Sequence, residues 1–339
     1  MKQQTFFKAV LCCSLMVLIM LSAQVRAQSS QSRRGGLYGD WEVKADFDGR
    51  QREWILSFSR DREGNQIGQW VSFWGLSELK DLEYEEGQLS FVRVSRNREG
   101  QSTTSKFTGT IKDGKLSGTV SSDRGEYKLE GKRGPRVPRA VGSWAMKYNI
   151  GDREITSTLV IKAGKEGNLT AQWQGRRSKS EITDLQYERG NLTFKRKSTY
   201  QDRQRESTFE GTVRGDMLSG VMKSERGEIT IEGKLVGAPV IGTWNLEVTS
   251  EQWGSRKQRL RVNPDMSGLY GANPIKKINL EGDQVSFIIV LEFGEQRFEI
   301  SFEGKVEDSK LTGELTSSMG SQKVKGTKVV RTFRRRSTM

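Results

Sequence analysis

The sequence predicts an all-β protein of three tandem, homologous, eight-stranded antiparallel up-and-down β-barrels, preceded by a cleaved signal peptide. Three observations carry this expectation. A Gly-x-Trp opening recurs about every hundred residues, as "YGDWEVKA" from Tyr38, "VGSWAMKY" from Val141 and "IGTWNLEV" from Ile241. Further landmarks keep step with it: "KFTGTIKDGKLSGTV" from Lys106 returns as "TFEGTVRGDMLSGVM" from Thr208 and "SFEGKVEDSKLTGEL" from Ser301. Between landmarks, apolar and polar residues alternate with period two, and Gly beside Asn or Asp punctuates the runs. That is the pattern of half-buried strands joined by tight turns.

The chain opens on "MKQQTFFKAVLCCSLMVLIMLSAQVRA", in which Lys2 and Lys8 precede an apolar run from Ala9 to Leu21 and a small-residue site at Val25-Arg26-Ala27. This is the three-part form of a secretory signal over residues 1–27, and it implies export to the periplasm or beyond. No other run approaches the roughly 18 apolar residues that a helical span requires, so no membrane span is expected. Cys12 and Cys13 both fall in the signal and the chain has no histidine. The exported part therefore has no disulfide to staple it, and burial alone must hold it together.

The first unit runs from 36 to 133, with strands expected near 40–46, 52–60, 66–74, 78–85, 88–96, 103–112, 115–122 and 126–132. The second runs from 140 to 236 and the third from 240 to 330, followed by a basic tail over 331–339. The joints "RGPRVPRA" at 133–140 and "VGAP" at 236–239 have the composition of short linkers. Aligning the units resolves the faces. Trp41, Val43 and Ala45 share the inner face with Trp144, Met146 and Tyr148, and with Trp244, Leu246 and Val248. Leu89 and Phe91 correspond to Leu192 and Phe194 and to Val285 and Phe287, and Phe107 to Phe209 and Phe302. Each unit is thus a meander with one apolar face, and closing it into a barrel removes the bare edges that invite aggregation.

The formal net charge is +14, of which the signal carries Lys2, Lys8 and Arg26 and no acid. A basic exported chain is drawn to the polyanions it meets outside the cytoplasm, acidic polysaccharides and envelope polymers rather than nucleic acid. The tail "RTFRRRSTM" from Arg331 adds a candidate electrostatic tether.

At Gly39-Asp40-Trp41, Gly142-Ser143-Trp144 and Gly242-Thr243-Trp244 the units resemble calycins, the superfamily of lipocalins, fatty-acid-binding proteins and avidin-like barrels, in which a Gly-x-Trp opens the first strand. The resemblance implies a lipocalin-like barrel in which a basic side chain of the last strand packs across the indole. Lys132 or Arg133, Lys234 and Lys328 are the candidates for that role. The three tryptophans are expected to be structural floor plugs, not ligand contacts.

With no histidine, and no cysteine outside the signal segment, His-dependent nucleophiles and ordinary zinc sites are excluded in the exported part, and neither a metal nor a cofactor is expected. Ser77 and Lys80 match a Ser-x-x-Lys spacing, but strand alternation sends them to opposite faces. "DFDG" at 46–49 reads as a hairpin turn, not a calcium loop. Asp81 and Asp184 occupy equivalent positions, with Glu78 and Glu181 three residues earlier. They furnish the one enzyme alternative, a histidine-independent carbohydrate-active site built on paired carboxylates.

The ligand-binding candidates are Arg93, Arg196, Trp173, Tyr270, Trp70 and Trp74. Arg93 and Arg196 share the parity of Phe91 and Phe194 and so point into their barrels, where an unpaired charge is costly. In fatty-acid-binding proteins inward arginines hold a ligand carboxylate, so the resemblance implies a small anionic ligand here. The third unit has Ile289 at that position and is expected to lack the anchor. Aligned without gaps, the third strands place Val71, Trp173 and Tyr270 inward and Trp70 and Trp74 outward. The expected function is non-catalytic binding of a small anionic or amphipathic ligand or an acidic polymer, with an envelope scaffold as a further reading.

Overall fold

A computed structural model describes residues 36–329 except 48, 62, 97–100, 124, 136, 165–167, 176–178, 201–202, 253 and 294–295. The signal segment with its cysteines and the basic tail lie outside the described residues. The described residues form three antiparallel sheets and no helix.

The first sheet comprises β1 (Gly39–Phe47), β2 (Arg50–Arg60), β3 (Gln66–Ser72), β4 (Gly75–Glu85), β5 (Gln88–Arg96), β6 (Ser102–Lys112), β7 (Lys115–Ser122) and β8 (Gly125–Arg133). Its strands follow in sequence order, and β8 pairs with β1 to close the barrel. The second sheet takes β9 (Gly142–Ile150), β10 (Arg153–Ala163), β11 (Leu169–Gln174), β12 (Lys179–Glu188), β13 (Asn191–Tyr200), β14 (Arg203–Arg214), β15 (Met217–Ser224) and β16 (Gly227–Leu235). Here β16 pairs with β9, and the hydrogen-bonded order ends at β11 on one side and β12 on the other.

The third sheet departs from the expected eight strands. It has nine: β17 (Gly242–Ser250), β18 (Gly254–Val262), β19 (Gly268–Tyr270), β20 (Asn273–Ile275), β21 (Ile278–Glu281), β22 (Gln284–Phe293), β23 (Gln296–Glu307), β24 (Lys310–Ser317) and β25 (Gly320–Lys328). The fourth strand, continuous as β4 and β12, is split here into β20, which carries Pro274, and β21, and the ladder is open between the two.

The chain separates into two compact units. One holds the described residues up to Ser72 together with Ser77–Gly134; the other holds Phe73–Leu76 with the described residues from Pro135 onward. Each sheet wraps its own apolar cluster. Phe91 stacks on Phe107, Phe194 on Phe209 and Phe287 on Phe302, with ring centroids 4.7–4.8 Å apart and planes 17° from parallel. Such pairs add about 0.5–1.5 kcal/mol to the burial of the rings themselves. Two glycines, opposite each other on the sixth and seventh strands, make room for each pair: Gly109 faces Gly118, Gly211 faces Gly220 and Gly304 faces Gly313.

The Gly-x-Trp motif floors each barrel. Gly39, Gly142 and Gly242 have φ of +128°, +130° and +134°, a region that side-chain-bearing residues rarely adopt, and the chain swings there from a buried lead-in residue into the first strand. The indole N–H then reaches back four residues. Trp41 Nε1 donates to the Leu37 carbonyl at 2.8 Å, Trp144 to Ala140 at 2.8 Å and Trp244 to Val240 at 2.7 Å. All three rings are fully buried, so each satisfies its one polar group without water.

Arg133 lies over Trp41 with its guanidinium carbon 5.1 Å from the ring centroid, and Lys328 lies over Trp244 at 5.5 Å. Each also donates to carbonyls of the lead-in: Arg133 to Tyr38 and Gly36, Lys328 to Ala238 and Pro239. Of the residues suggested by the calycin resemblance, Lys132 instead pairs with Glu42 on the surface. Lys234 is displaced as well. The register puts Leu235 opposite Trp144, so an aliphatic side chain stands where the other two floors have Arg133 and Lys328.

Candidate functional site

Away from the tryptophan floor, each barrel gathers an arginine, an aromatic ring and a second polar side chain. On β5, the alternation that buries Leu89 and Phe91 brings Arg93 to the same face, three residues before the strand ends. Its guanidinium carbon stands 4.5 Å from the centroid of Trp70. On β13 the same step after Leu192 and Phe194 brings Arg196 to 4.6 Å from Trp173. Both arginines are half-buried, so the charge sits on an indole face inside the barrel wall while part of the side chain stays in reach of solvent.

The strand-three assignment needs correction. Trp70, expected outside, is 1% exposed and belongs to the core cluster, while Val71 takes the other face. Cross-strand register gives the reason. Leu56 pairs with Trp70, Leu159 with Trp173 and Leu260 with Tyr270, so these three aromatics are equivalent and the gapless alignment slipped by one residue in the first unit. Trp74 is exposed as expected, at 60%, with Phe73 against it edge-on at 5.1 Å.

The electrostatics of the two arginine sites are alike. Burial pulls both guanidinium groups below their ordinary range, and the groups that act against it are phenols: Tyr127 beside Arg93, and Tyr148 beside Arg196. Burial raises Tyr127 in turn. Arg196 Nε donates to Ser180 Oγ at 3.1 Å. No described carboxylate acts on either guanidinium. Moreover, Arg93 Nε, Trp70 Nε1, Trp173 Nε1 and Ser157 Oγ are buried with no hydrogen-bond partner among the described residues. These groups are donors, and three of the four have no capacity to accept.

Tyr127, Tyr148, Ser157 and Ser180 carried no role in the sequence reading. Of these, Tyr148 was legible as inward-facing on the core side of its strand, but nothing in the sequence coupled it to Arg196. In the third barrel Ile289 is fully buried, as its apolar side chain suits. An arginine is present nonetheless, supplied by β18 instead of the fifth strand. Arg256 Nη2 donates to Gln322 Oε1 at 2.8 Å and lies beside the hydroxyl of Tyr270, whose pKa burial raises. Its Nη2 thus has a neutral acceptor, as Arg196 Nε has in Ser180, whereas Arg93 Nε is buried with no partner among the described residues.

The proposed carboxylate pair dissolves into local structure. Asp81 and Asp184 have φ of +49° and +53° where the ladders between the fourth and fifth strands shift register, so they are bulge residues. Both are exposed, and Asp184 is tied to Lys195 at 2.8 Å. Asp46 Oδ1 accepts from Gly49 N at 2.8 Å, a turn contact as expected. An open cleft of about 670 Å³ lies on the second sheet around Ala145, flanked by Lys147, Lys234 and Glu232. Lys147 is already paired with Glu154 at 3.2 Å, so the cleft's charge is mixed.

No family model matches the chain, and no curated protein matches it. Among solved structures it is similar to a Bacteroides fragilis protein assigned provisionally to the outer membrane, at 11% identity and a TM-score of 0.23, over 88% of this chain and 99% of that one. It is also similar to transferrin binding protein B from Haemophilus parasuis, at 10% identity and a TM-score of 0.20, over 87% and 76%. A third is a Nostoc punctiforme protein of unknown function, at 13% identity and a TM-score of 0.18, over 86% and 96%. Likenesses this distant carry no argument about binding. Among the described residues, no helix is long and apolar enough to cross a membrane.

Proposed function

We propose that the protein is an exported, non-catalytic binding protein whose first two barrels each receive the acidic group of a small anionic or amphipathic ligand. In this reading the segments 36–133, 140–236 and 240–330 act as three calycin-like domains behind the signal peptide. The observation that supports it is the set of buried, unpartnered donors in the two arginine barrels: Arg93 Nε, Trp70 Nε1, Trp173 Nε1 and the Ser157 hydroxyl. A guanidinium held against an indole whose own N–H is unpartnered, with no described carboxylate to neutralise it, is a site short of an acceptor. A carboxylate supplies two acceptor oxygens and the missing charge. The cations across Trp41 and Trp244 favour the calycin reading of the floors. The exposed, bulge-bound Asp81 and Asp184 give the enzyme alternative no support, and the mixed charge around Ala145 gives an acidic polymer no dedicated groove.

A thermal-shift panel of small carboxylates on the mature chain tests the reading. A ligand at a hundred times its Kd stabilises its barrel by about 2.7 kcal/mol, a shift of several degrees for a unit of this size. The shift should vanish in the Arg93→Gln, Arg196→Gln double variant. The ligand-free double variant should be as stable as the wild type or more so, because it no longer buries charge without a counter-ion. If the double variant keeps the wild-type shifts, the arginines do not hold the ligand and the reading is wrong.

A further inference from the structure

The two arginine sites share their indole but not their second wall. Across the first hairpin of each barrel, the residue two past the floor tryptophan has an inward partner: Val43 pairs with Trp54, Met146 with Ser157 and Leu246 with Gln258. In the first barrel Trp54 packs on Trp70 with centroids 5.3 Å apart, on the ring that carries Arg93. In the second barrel the equivalent position is Ser157, 8% exposed as a residue, whose hydroxyl is buried with no partner among the described residues. Ser180 adds a second hydroxyl on the Arg196 side chain itself.

The phenols are exchanged as well. Tyr127 comes to Arg93 from β8, where the second barrel has Ile229. Tyr148 comes to Arg196 from β9, where the first barrel has Ala45. Each arginine therefore has an indole and a phenol, Tyr148 lying 6.2 Å from Trp173, but the first site adds a second indole, Trp54, where the second barrel has Ser157 and hydrogen-bonds its arginine to Ser180.

We propose that the barrels take different classes of carboxylate: the first a flat aromatic acid stacked against Trp54 and Trp70, the second a hydroxylated acid of the sugar-acid type. This rests on the reading that Arg93 and Arg196 hold an anionic group. In the first site the ligand's apolar body replaces water against two indoles, a gain that hydroxyl groups would forfeit. In the second, Ser157 and the Trp173 indole N–H are buried groups that an apolar acid leaves unsatisfied and a hydroxylated one satisfies. Sites built to hydrogen-bond a ligand hydroxyl discriminate strongly against ligands that lack it. Trp54 and Ser157 are thus the residues that set specificity, and the third barrel, with Gln258 there and Arg256 already engaged, takes neither ligand.

The test titrates the full mature chain calorimetrically with indole-3-acetate and with galacturonate. Arg93→Gln and Trp54→Ser should each weaken indole-3-acetate binding about tenfold or more and leave galacturonate unchanged. Arg196→Gln and Ser157→Ala should do the reverse. Trp54→Phe keeps a flat ring and should retain indole-3-acetate binding, which separates loss of the stacking surface from loss of the fold; the ligand-free Tm of every variant is measured alongside. If both acids bind and each arginine variant weakens both equally, the division between barrels is overturned while the anion-binding reading stands. If neither acid binds, nor any other carboxylate in an arginine-dependent way, both are overturned.

Discussion

Replacing Trp144 by alanine is expected to destabilise the second barrel by about 3–5 kcal/mol, the range for deleting a fully buried aromatic ring. The ring is completely buried and plugs the end of the barrel where β9 begins. Its N–H is the hydrogen bond that ties the lead-in carbonyl of Ala140 to the sheet. Trp144→Phe separates the two contributions. It keeps most of the apolar surface and removes the bond, so it should cost about 1 kcal/mol plus whatever the unpaired Ala140 carbonyl adds. The second barrel is the sharpest place to look because its floor has Leu235 at the register position where the first and third have Arg133 and Lys328 over the ring. Urea titration followed by circular dichroism reads both values. A Trp144→Ala variant within about 1 kcal/mol of wild type would remove the plug from this account.

Gly220→Ala should be nearly as damaging for one added carbon. A Cβ there would lie 2.5 Å from the Glu210 carbonyl oxygen, 2.6 Å from Phe209 Cζ and 2.7 Å from Gly211 Cα. Two of these are backbone atoms of the neighbouring strand, so the strain cannot be relieved by turning a side chain. Overpacking of this kind costs about 1–3 kcal/mol and sometimes more. The specific prediction is coupling: Phe209→Ala empties the space over the glycine pair, so Gly220→Ala should cost less in that background than alone. Additive losses would mean that the backbone contact, not the Phe194–Phe209 stack, sets the requirement for glycine.

Much of this architecture was legible in the chain. Period-two alternation placed the strands, and the Gly-x-Trp repeat counted the barrels, because a buried indole and a positive-φ glycine tolerate few substitutes. Arg93 and Arg196 were found by parity with Phe91 and Phe194. Trp70 was misplaced because Trp70 and Val71 are both apolar, so alternation gives no sign at that point. The deciding signal was nevertheless present: Trp70 follows Leu56, and Trp173 follows Leu159, by the same number of residues.

Arg256 was not recoverable. The run "SRKQRLRV" of β18 carries cations on both faces, and the pattern does not say which one turns inward. The nine-strand division of the third sheet was hidden for a related reason, since Gly271 and Pro274 fall in a stretch whose alignment to the other units is loose. The contrast between Trp54 and Ser157 was legible in principle, since each lies 13 residues after its floor tryptophan; what the spacing does not give is that Trp54 packs on the ring that carries Arg93.

The indole N–H groups report on the two anion sites directly, since the described tryptophans differ in whether that group has a partner. On adding saturating carboxylate to nitrogen-15-labelled protein, the Trp70 and Trp173 indole signals should move downfield as their unpartnered N–H groups gain an acceptor. Those of Trp41, Trp144 and Trp244, already bonded to the carbonyls of Leu37, Ala140 and Val240, should stay in place. Movement confined to the exposed Trp74, or spread evenly over all the indoles, would contradict an anion site beneath Arg93 and Arg196.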